Sequence, residues 1–377
     1  MNTLTLSLSN IDHNYNCIRE QINATTQIIG VVKANAYGSS SIHFASRLVE
    51  LGVDYLAVAY TEEGQQLRSQ GVKIPIMVFY PQLDALDTLL DACLEPCLYN
   101  ETILEGFKKI LLEKKISHYP VHIKYNTGLN RLGFTPDQSD WVLEQMKNNC
   151  FQLESVYSHL AASEAKRPSA LCKSQIELFE ILKIKHSSVS NQPPKFHLLN
   201  SSGVFNYPEH QYDMVRCGIA LHGFANHPDW DAHLKPICVL ESSITQIHQV
   251  KKGNFVGYDH GWQAPQNTQI ATLPLGHADG IGRHFGHHKG SVMINGKKAP
   301  IVGNVCMDLL MVDVTSIDCE EGDVVCLERG AKNILLSGVL GLAVVGGIIY
   351  VVAKPKGKSG KQEVEIKISK DEAVTTA

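Results

Sequence analysis

Three things are scarce in this chain, and each scarcity removes a class of function. Net charge is small: 34 Lys and Arg against 38 Asp and Glu leave −4 over 377 residues, so no broad field draws the protein to nucleic acid or to an anionic membrane. Paired cysteines are missing. The ten cysteines, at 17, 93, 97, 150, 172, 217, 238, 306, 319 and 326, form no repeated Cys-x-x-Cys, which fits reduced thiols in a cytoplasm better than a disulfide scaffold. A basic-then-apolar leader is also lacking at the start, so a cytoplasmic location is expected. Histidines 284, 287 and 288 lie in a Gly-rich polar run with no cysteine or carboxylate at ligand spacing, so no metal is expected there.

What is present, 44% hydrophobic and 19% charged residues, suits one large globular domain and one smaller one. Short apolar runs at 28–33, 55–60, 74–80, 94–98, 121–125, 153–159, 196–200 and 214–219 read as eight strands. Between them, 41–51, 62–69, 101–112 and 174–184 carry apolar residues at helical spacing. Eight strand–helix units predict an α/β fold, a (β/α)8 barrel of TIM type over residues 8–226, rather than an open sheet. From about residue 234 the texture changes to β-branched runs, 237–250, 268–274, 290–294 and 299–313, without long helices. A second, mostly β domain is therefore expected over 227–330, joined by residues 1–7, where 3–7 alternate in the strand manner.

In such barrels chemistry collects at the carboxyl ends of the strands. Lys33 ends the first strand, in Val-Val-Lys-Ala-Asn-Ala-Tyr-Gly. An amine there is partly desolvated, which lowers its pKa and leaves a neutral nucleophile for an aldehyde. After strand five comes Asn-Thr-Gly-Leu-Asn-Arg-Leu-Gly with Arg131, strand six ends in Tyr-Ser-His159, and strand seven ends in Asn200-Ser201-Ser202-Gly203. The last offers backbone N–H groups and a hydroxyl to a phosphate. Strand eight carries Arg216, followed by Gly218 and Ile219. Singly, each has an ordinary structural explanation: a satisfied core histidine, a surface ion pair, a helix cap. Together they describe a site for pyridoxal 5'-phosphate and an amino-acid carboxylate.

Over residues 3–328 the chain resembles the fold-type III, pyridoxal-phosphate-dependent alanine racemases. The resemblance makes Lys33 the Schiff-base lysine and Tyr37 a phosphate contact. It sets Arg131 beside the substrate, with Lys124 where many members carry a carbamylated lysine that positions the arginine. His159, Asn200, Ser201, Arg216, Gly218 and Ile219 fall on family cofactor positions. Val256-Gly257-Tyr258 matches the motif of the catalytic tyrosine, and Cys306-Met307-Asp308 the motif that receives the substrate carboxylate. The implied activity is interconversion of L- and D-alanine for peptidoglycan by two bases, Lys33 and Tyr258, across a homodimer with shared active sites. An arginine facing the pyridine nitrogen cannot accept its proton, which weakens the ring as an electron sink and disfavours side reactions. His159 and Arg216 are the groups expected to lower the pKa of Tyr258.

The sequence departs from the family at Ser39-Ser40, Asn126, Cys217, His222 and His277. His277 stands where a tyrosine usually lines the site entrance, which opens the alternative of a serine or broad-specificity racemase. Beyond about residue 330 the family pattern is lost. Residues 331–377 read as an atypical tail with an uncharged apolar segment at 334–353 and a Lys-rich end. That segment is long enough to span a bilayer, or is a buried piece of the second domain, or is foreign to the fold. The loss of the family ending leaves a cofactor-binding protein without turnover as a further alternative.

Overall fold

A computed structural model describes residues 2–165, 169–188, 193–327, 349–351 and 363–368. The chain falls into two compact units, one of residues 11–36 and 40–235, the other of 1–10, 37–39 and 236–377.

The first unit is built on eight parallel strands: β2 (Gln27–Val31), β3 (Tyr55–Val58), β4 (Ile76–Val78), β5 (Glu95–Leu98), β6 (Tyr119–Lys124), β7 (Phe151–Tyr157), β8 (Lys195–His197) and β9 (Met214–Cys217). Each pairs with the next in the chain as far as β8, and β9 returns to pair with β2. At the β8–β9 seam Asp213 N–H donates to Phe196 O at 3.0 Å and Arg216 N–H to Leu199 O at 3.0 Å. The ring is thereby drawn together into the barrel that the eight-fold rhythm predicts.

Strands such as Tyr-Leu-Ala-Val and Ile-Met-Val are buried along their whole length. Helices cover the outside of the ring and side chains fill its inside, which is why these runs read as unbroken apolar stretches. Helix Glu101–Glu113 shows the local logic: the Asn100 side chain accepts from Ile103 N–H at 2.9 Å, and Ile103, Leu104, Phe107 and Leu111 form its buried stripe. Gly30 on β2 has a packing reason, since a Cβ there would meet Leu48 Cδ1 at 2.8 Å.

The second unit is a ten-stranded antiparallel sheet. Its strands are β1 (Asn2–Ser7), β10 (Cys238–Ser243), β11 (Gln246–Val250), β14 (Thr268–Leu273), β15 (Ser291–Ile294), β16 (Lys297–Val302), β17 (Leu310–Asp313), β18 (Val324–Leu327), β19 (Ile349–Val351) and β20 (Glu363–Ile368), with a separate ribbon of β12 (Phe255–Val256) and β13 (Trp262–Gln263). As its alternation suggests, β1 joins this sheet, lying antiparallel to β10 on one side and β20 on the other. Its Leu4 and Leu6 are fully buried.

Of the apolar segment 334–353, residues 349–351 form β19, paired with β20; its other residues lie outside the described ones. No helix among the described residues is long and apolar enough to cross a membrane.

The pairing of β1 on both sides gives a direct expectation. Leu6→Ala removes a fully buried side chain from the middle of the sheet and should cost about 2–5 kcal/mol. Urea denaturation followed by circular dichroism measures it.

Candidate active site

Lys33 follows β2 directly, and the chain then turns in an unusual way. Ala34, Asn35, Ala36 and Tyr37 have φ of 52, 50, 49 and 57°, a left-handed turn made of residues that are not glycine. Each such residue costs roughly 1–2 kcal/mol, so the turn must be held from outside. Ala36 N–H donates to Val32 O at 2.9 Å, and Asn35 Oδ1 accepts from Ser41 N–H at 2.8 Å. Glu63 reaches over from the helix Thr61–Ser69, after β3, to accept from Ala34 and Ala59 N–H. His222, a departure from the family sequence, is buried and stacked on Phe44. Its two ring nitrogens lie 2.9 Å from Ala36 O and 3.0 Å from Gly218 O.

Four cationic side chains share the carboxyl end of the barrel. Lys33, Lys124, Arg131 and Arg216 all act electrostatically on His159. Burial, helped by Arg131 and opposed by Glu63, lowers the pKa of Lys33. Lys124, only 6% exposed, is pushed down to about 8, first by burial, with Arg131, Arg216 and Lys33 adding and Cys97 opposing. Both amines are thus moved toward their neutral forms.

Arg216 is the most confined of the four. Its Nη2 donates to Ser158 O at 2.8 Å, Leu198 O at 2.9 Å and His159 Nδ1 at 3.1 Å, while Nη1 donates to His197 Nδ1 at 2.9 Å. The guanidinium also lies 5.2 Å from the centre of the Tyr157 ring, which stacks on His197. Burial lowers its pKa to about 10, so it stays charged at neutral pH. His159 is neutral for the same reasons: burial first, then Arg216, holds it well below the usual histidine range. The sequence reading gave His159 a share in the positive charge of this pair, but the charge is on Arg216 and His159 accepts from it through Nδ1.

Asn200 and Ser201 open the helix Ser201–Asn206. Asn200 caps it through Gly203 N–H at 2.9 Å, and Ser201 Oγ accepts from Gly218 N–H at 3.0 Å and Ala220 N–H at 3.2 Å. The Ser201 turn and the Gly218 turn are therefore joined through one hydroxyl, with Ile219 between the bonded residues. The Arg131 loop is shaped by Asn126, whose Oδ1 accepts from Gly128 and Asn130 N–H. Gly133 has φ of 124°, and a Cβ there would lie 2.6 Å from Asn126 N. Gln175 was not legible as a site residue. It is fully buried, donates to His159 O at 2.9 Å, and accepts from Ala161 N–H at 2.8 Å.

In the second unit, Tyr258 is 72% exposed, as in lesser degree are Phe255 and Leu309, which line a cavity with it, and Met307. A cavity of about 580 Å³ is lined there by His248, Phe255, Tyr258, Cys306, Leu309 and Met311. His277 and Met307 are brought together: His277 N–H donates to Cys306 O at 2.9 Å and Ala278 N–H to Met307 O at 3.0 Å. Gly276 permits this closeness, since a Cβ would sit 2.2 Å from Met307 O. Asp308 follows in the same loop, and the His277 ring is 3.4 Å from Arg283.

A partly desolvated amine, an imidazole, two guanidinium groups and a hydroxyl-bridged turn thus gather at the carboxyl ends of the parallel strands, where barrel enzymes carry their chemistry. Comparison with known proteins makes the class specific. Residues 6–226 match the family model "Alanine racemase, N-terminal domain" and residues 237–339 match "Alanine racemase, C-terminal domain". The chain belongs to the alanine racemase family. A curated alanine racemase of Sorangium cellulosum is 30% identical over 356 residues, covering 92% of this chain and 93% of that protein. The solved alanine racemase of Clostridium difficile is 29% identical with a TM-score of 0.82, covering 93% and 95%. A Bartonella henselae alanine racemase described with covalently bound pyridoxal phosphate is 26% identical with a TM-score of 0.81, covering 91% and 97%. The second family model continues to residue 339, past the point where the sequence motifs gave out.

The left-handed turn inverts the usual rule for glycine. Ala34→Gly, at an exposed position with φ of 52°, should raise stability by about 1 kcal/mol. A thermal melt beside the unaltered protein measures it.

Proposed function

We propose that this chain interconverts L-alanine and D-alanine with pyridoxal 5'-phosphate carried on Lys33, supplying D-alanine for peptidoglycan in the cytoplasm. The observation that carries this reading is the position of Lys33, moved toward its neutral form by burial and by Arg131, in a barrel mouth furnished for a phosphate and a pyridine ring.

The residues fit the cofactor. Ser201 Oγ, after accepting two backbone N–H groups, still has its own proton to donate to a phosphate oxygen, and Gly218, Ile219, Asn200 and Tyr37 would complete the cradle. Arg216 would meet the cofactor's ring nitrogen as a donor only, and His159 would be available to it as a neutral ring. Bound there, pyridoxal phosphate supplies an aldehyde for the amine and a conjugated ring that delocalises the electron pair left at Cα.

Racemisation takes a proton from one face of Cα and returns one to the other, so two acid/base groups must work from opposite sides. Lys33 takes the D-face and Tyr258 the L-face. The exposure of Tyr258 among apolar neighbours supports a homodimer in which a second copy covers this surface and shares its tyrosine. Arg131, Met307 and Asp308 hold the carboxylate. His277 in place of a tyrosine favours testing serine and other small amino acids alongside alanine.

Lys124 adds a further step. At a pKa of about 8 part of it is neutral near physiological pH, and its lone pair can bond to the carbon of CO2 while an N–H proton leaves to water. The carbamate anion would stand among three cations and give Arg131 a partner.

Lys33→Ala should abolish racemisation and eliminate the borohydride-fixed cofactor mass at residue 33. Tyr258→Phe should lose about 10²–10⁴-fold in turnover. Polarimetry on L-alanine and mass spectrometry decide both, and cofactor retention without racemisation in the unaltered protein would favour the non-catalytic alternative. For Lys124, a carbamate signal from ¹³C-bicarbonate should grow as pH rises through about 8 and be missing in Lys124→Ala.

A further inference from the structure

Beneath the mouth, the barrel interior holds polar side chains that have no place in the proton transfers described above. Glu95 on β5, His122 on β6, Ser155 on β7 and His197 on β8 are 8, 0, 0 and 0% exposed. They form a continuous chain: Glu95 Oε2 to His122 Nε2 at 2.9 Å, His122 Nδ1 to Ser155 Oγ at 2.7 Å, Ser155 Oγ to His197 Nε2 at 2.8 Å, and His197 Nδ1 to Arg216 Nη1 at 2.9 Å. The strand register serves it. A one-residue irregularity between β6 and β7 skips Glu154 and sets Ser155 opposite His122.

The two ends of this chain dictate its polarity. Arginine can only donate, so His197 Nδ1 must accept and its Nε2 must carry the proton. An ionised carboxylate can only accept, so His122 Nε2–H must point at Glu95 and its Nδ1 must accept from Ser155 O–H. The serine then accepts from His197 and donates to His122. Every link runs from Arg216 toward Glu95, and reversing the run would set N–H against N–H at Arg216 and lone pair against lone pair at Glu95. Burial, with Arg216 and His122, holds His197 well below the usual histidine range, in keeping with a neutral ring. Burial and the nearby Glu95 charge raise the pKa of Tyr55, whose ring meets His122 edge-on at 5.9 Å.

We infer that Glu95 is a positioning residue for Arg216: it fixes the tautomer of His122 as Arg216 fixes that of His197, so that the Ser155 hydroxyl between them completes a line that holds the guanidinium at Nη1. The carboxylate is the anionic end of a polarised line whose cationic end is the arginine. Cofactor would meet an Arg216 that cannot turn, because its Nη1 is committed downward and its Nη2 to the carbonyls of Ser158 and Leu198. The effect on catalysis rests on the alanine racemase reading; the proton arrangement does not.

The test reads both. In protein labelled with ¹⁵N-histidine, with and without pyridoxal phosphate, His122 and His197 should each show a protonated Nε2 and a bare Nδ1. Glu95→Gln gives the far end a donor, and His122 should then populate the Nδ1–H form. Cofactor affinity and kcat for alanine should fall about tenfold, with KM much less affected. If Glu95→Gln misfolds by circular dichroism, Ser155→Ala cuts the chain midway and must give the same loss. An imidazolium or Nδ1–H His122 in the unaltered protein, or unchanged tautomers and cofactor affinity in the variant, would overturn the inference. Correct tautomers in a protein that does not racemise alanine would instead overturn the function and leave the proton chain standing.

Discussion

A permanent positive charge sealed inside a barrel is the constraint around which this molecule is arranged. Arg216 is 4% exposed, and a guanidinium so placed costs several kcal/mol unless its donors are met. It meets them with the carbonyls of Ser158 and Leu198 and the rings of His159 and His197. Those acceptors belong to the ends of β7 and β8, so satisfying one side chain also pins the strands that carry His159, Asn200 and Ser201. After burial, the same charge is what holds the nearby imidazoles neutral, and it helps to lower Lys124.

Strain and charge meet at the other side of the mouth. The turn after Lys33 holds four side-chain-bearing residues in a conformation they disfavour, and Glu63 and Ser41 supply the hydrogen bonds that keep it there. The turn reverses the chain directly after the lysine, so the amine's position is set by backbone that has little freedom to relax. Glu63 also provides the negative charge that tempers the lowering of the Lys33 pKa. One carboxylate thus contributes to both the geometry and the basicity of the nucleophile.

The barrel was legible because strands buried on both faces must be apolar throughout, and eight such runs stand out between amphipathic helices. Lys33, His159, Ser201 and Arg216 were legible because polar residues at the ends of apolar runs fall at the mouth. His122, Ser155 and His197 were not singled out, since a polar residue inside a run looks like an interruption. The signal was nevertheless there: His122 and Lys124 are two apart on β6, hence on one face, and both are buried. Gln175 escaped because a glutamine on an amphipathic helix has the period of a solvated face. β18, β12 and β13 escaped because two to four residues are too few to establish alternation. At 334–353 lack of charge suggested a span, whereas the described part, β19, is a strand whose pairing partner no local pattern could reveal.

The position of β1 bears on how the protein is made. Its residues are made before the barrel, yet they pair with β10, whose Cys238 faces Leu6, and with β20, whose Ile368 faces Asn2. While the barrel is being synthesised, this strand has neither neighbour, and its row of unpaired amides and leucines is open to any other exposed strand edge. The barrel can form from local βα contacts as it emerges; the sheet must wait until β10 and β20, which follow the barrel in the chain, have been made. Nascent-chain aggregation is therefore a hazard written into the topology, and the few residues preceding the barrel are where a chaperone would have the most to protect.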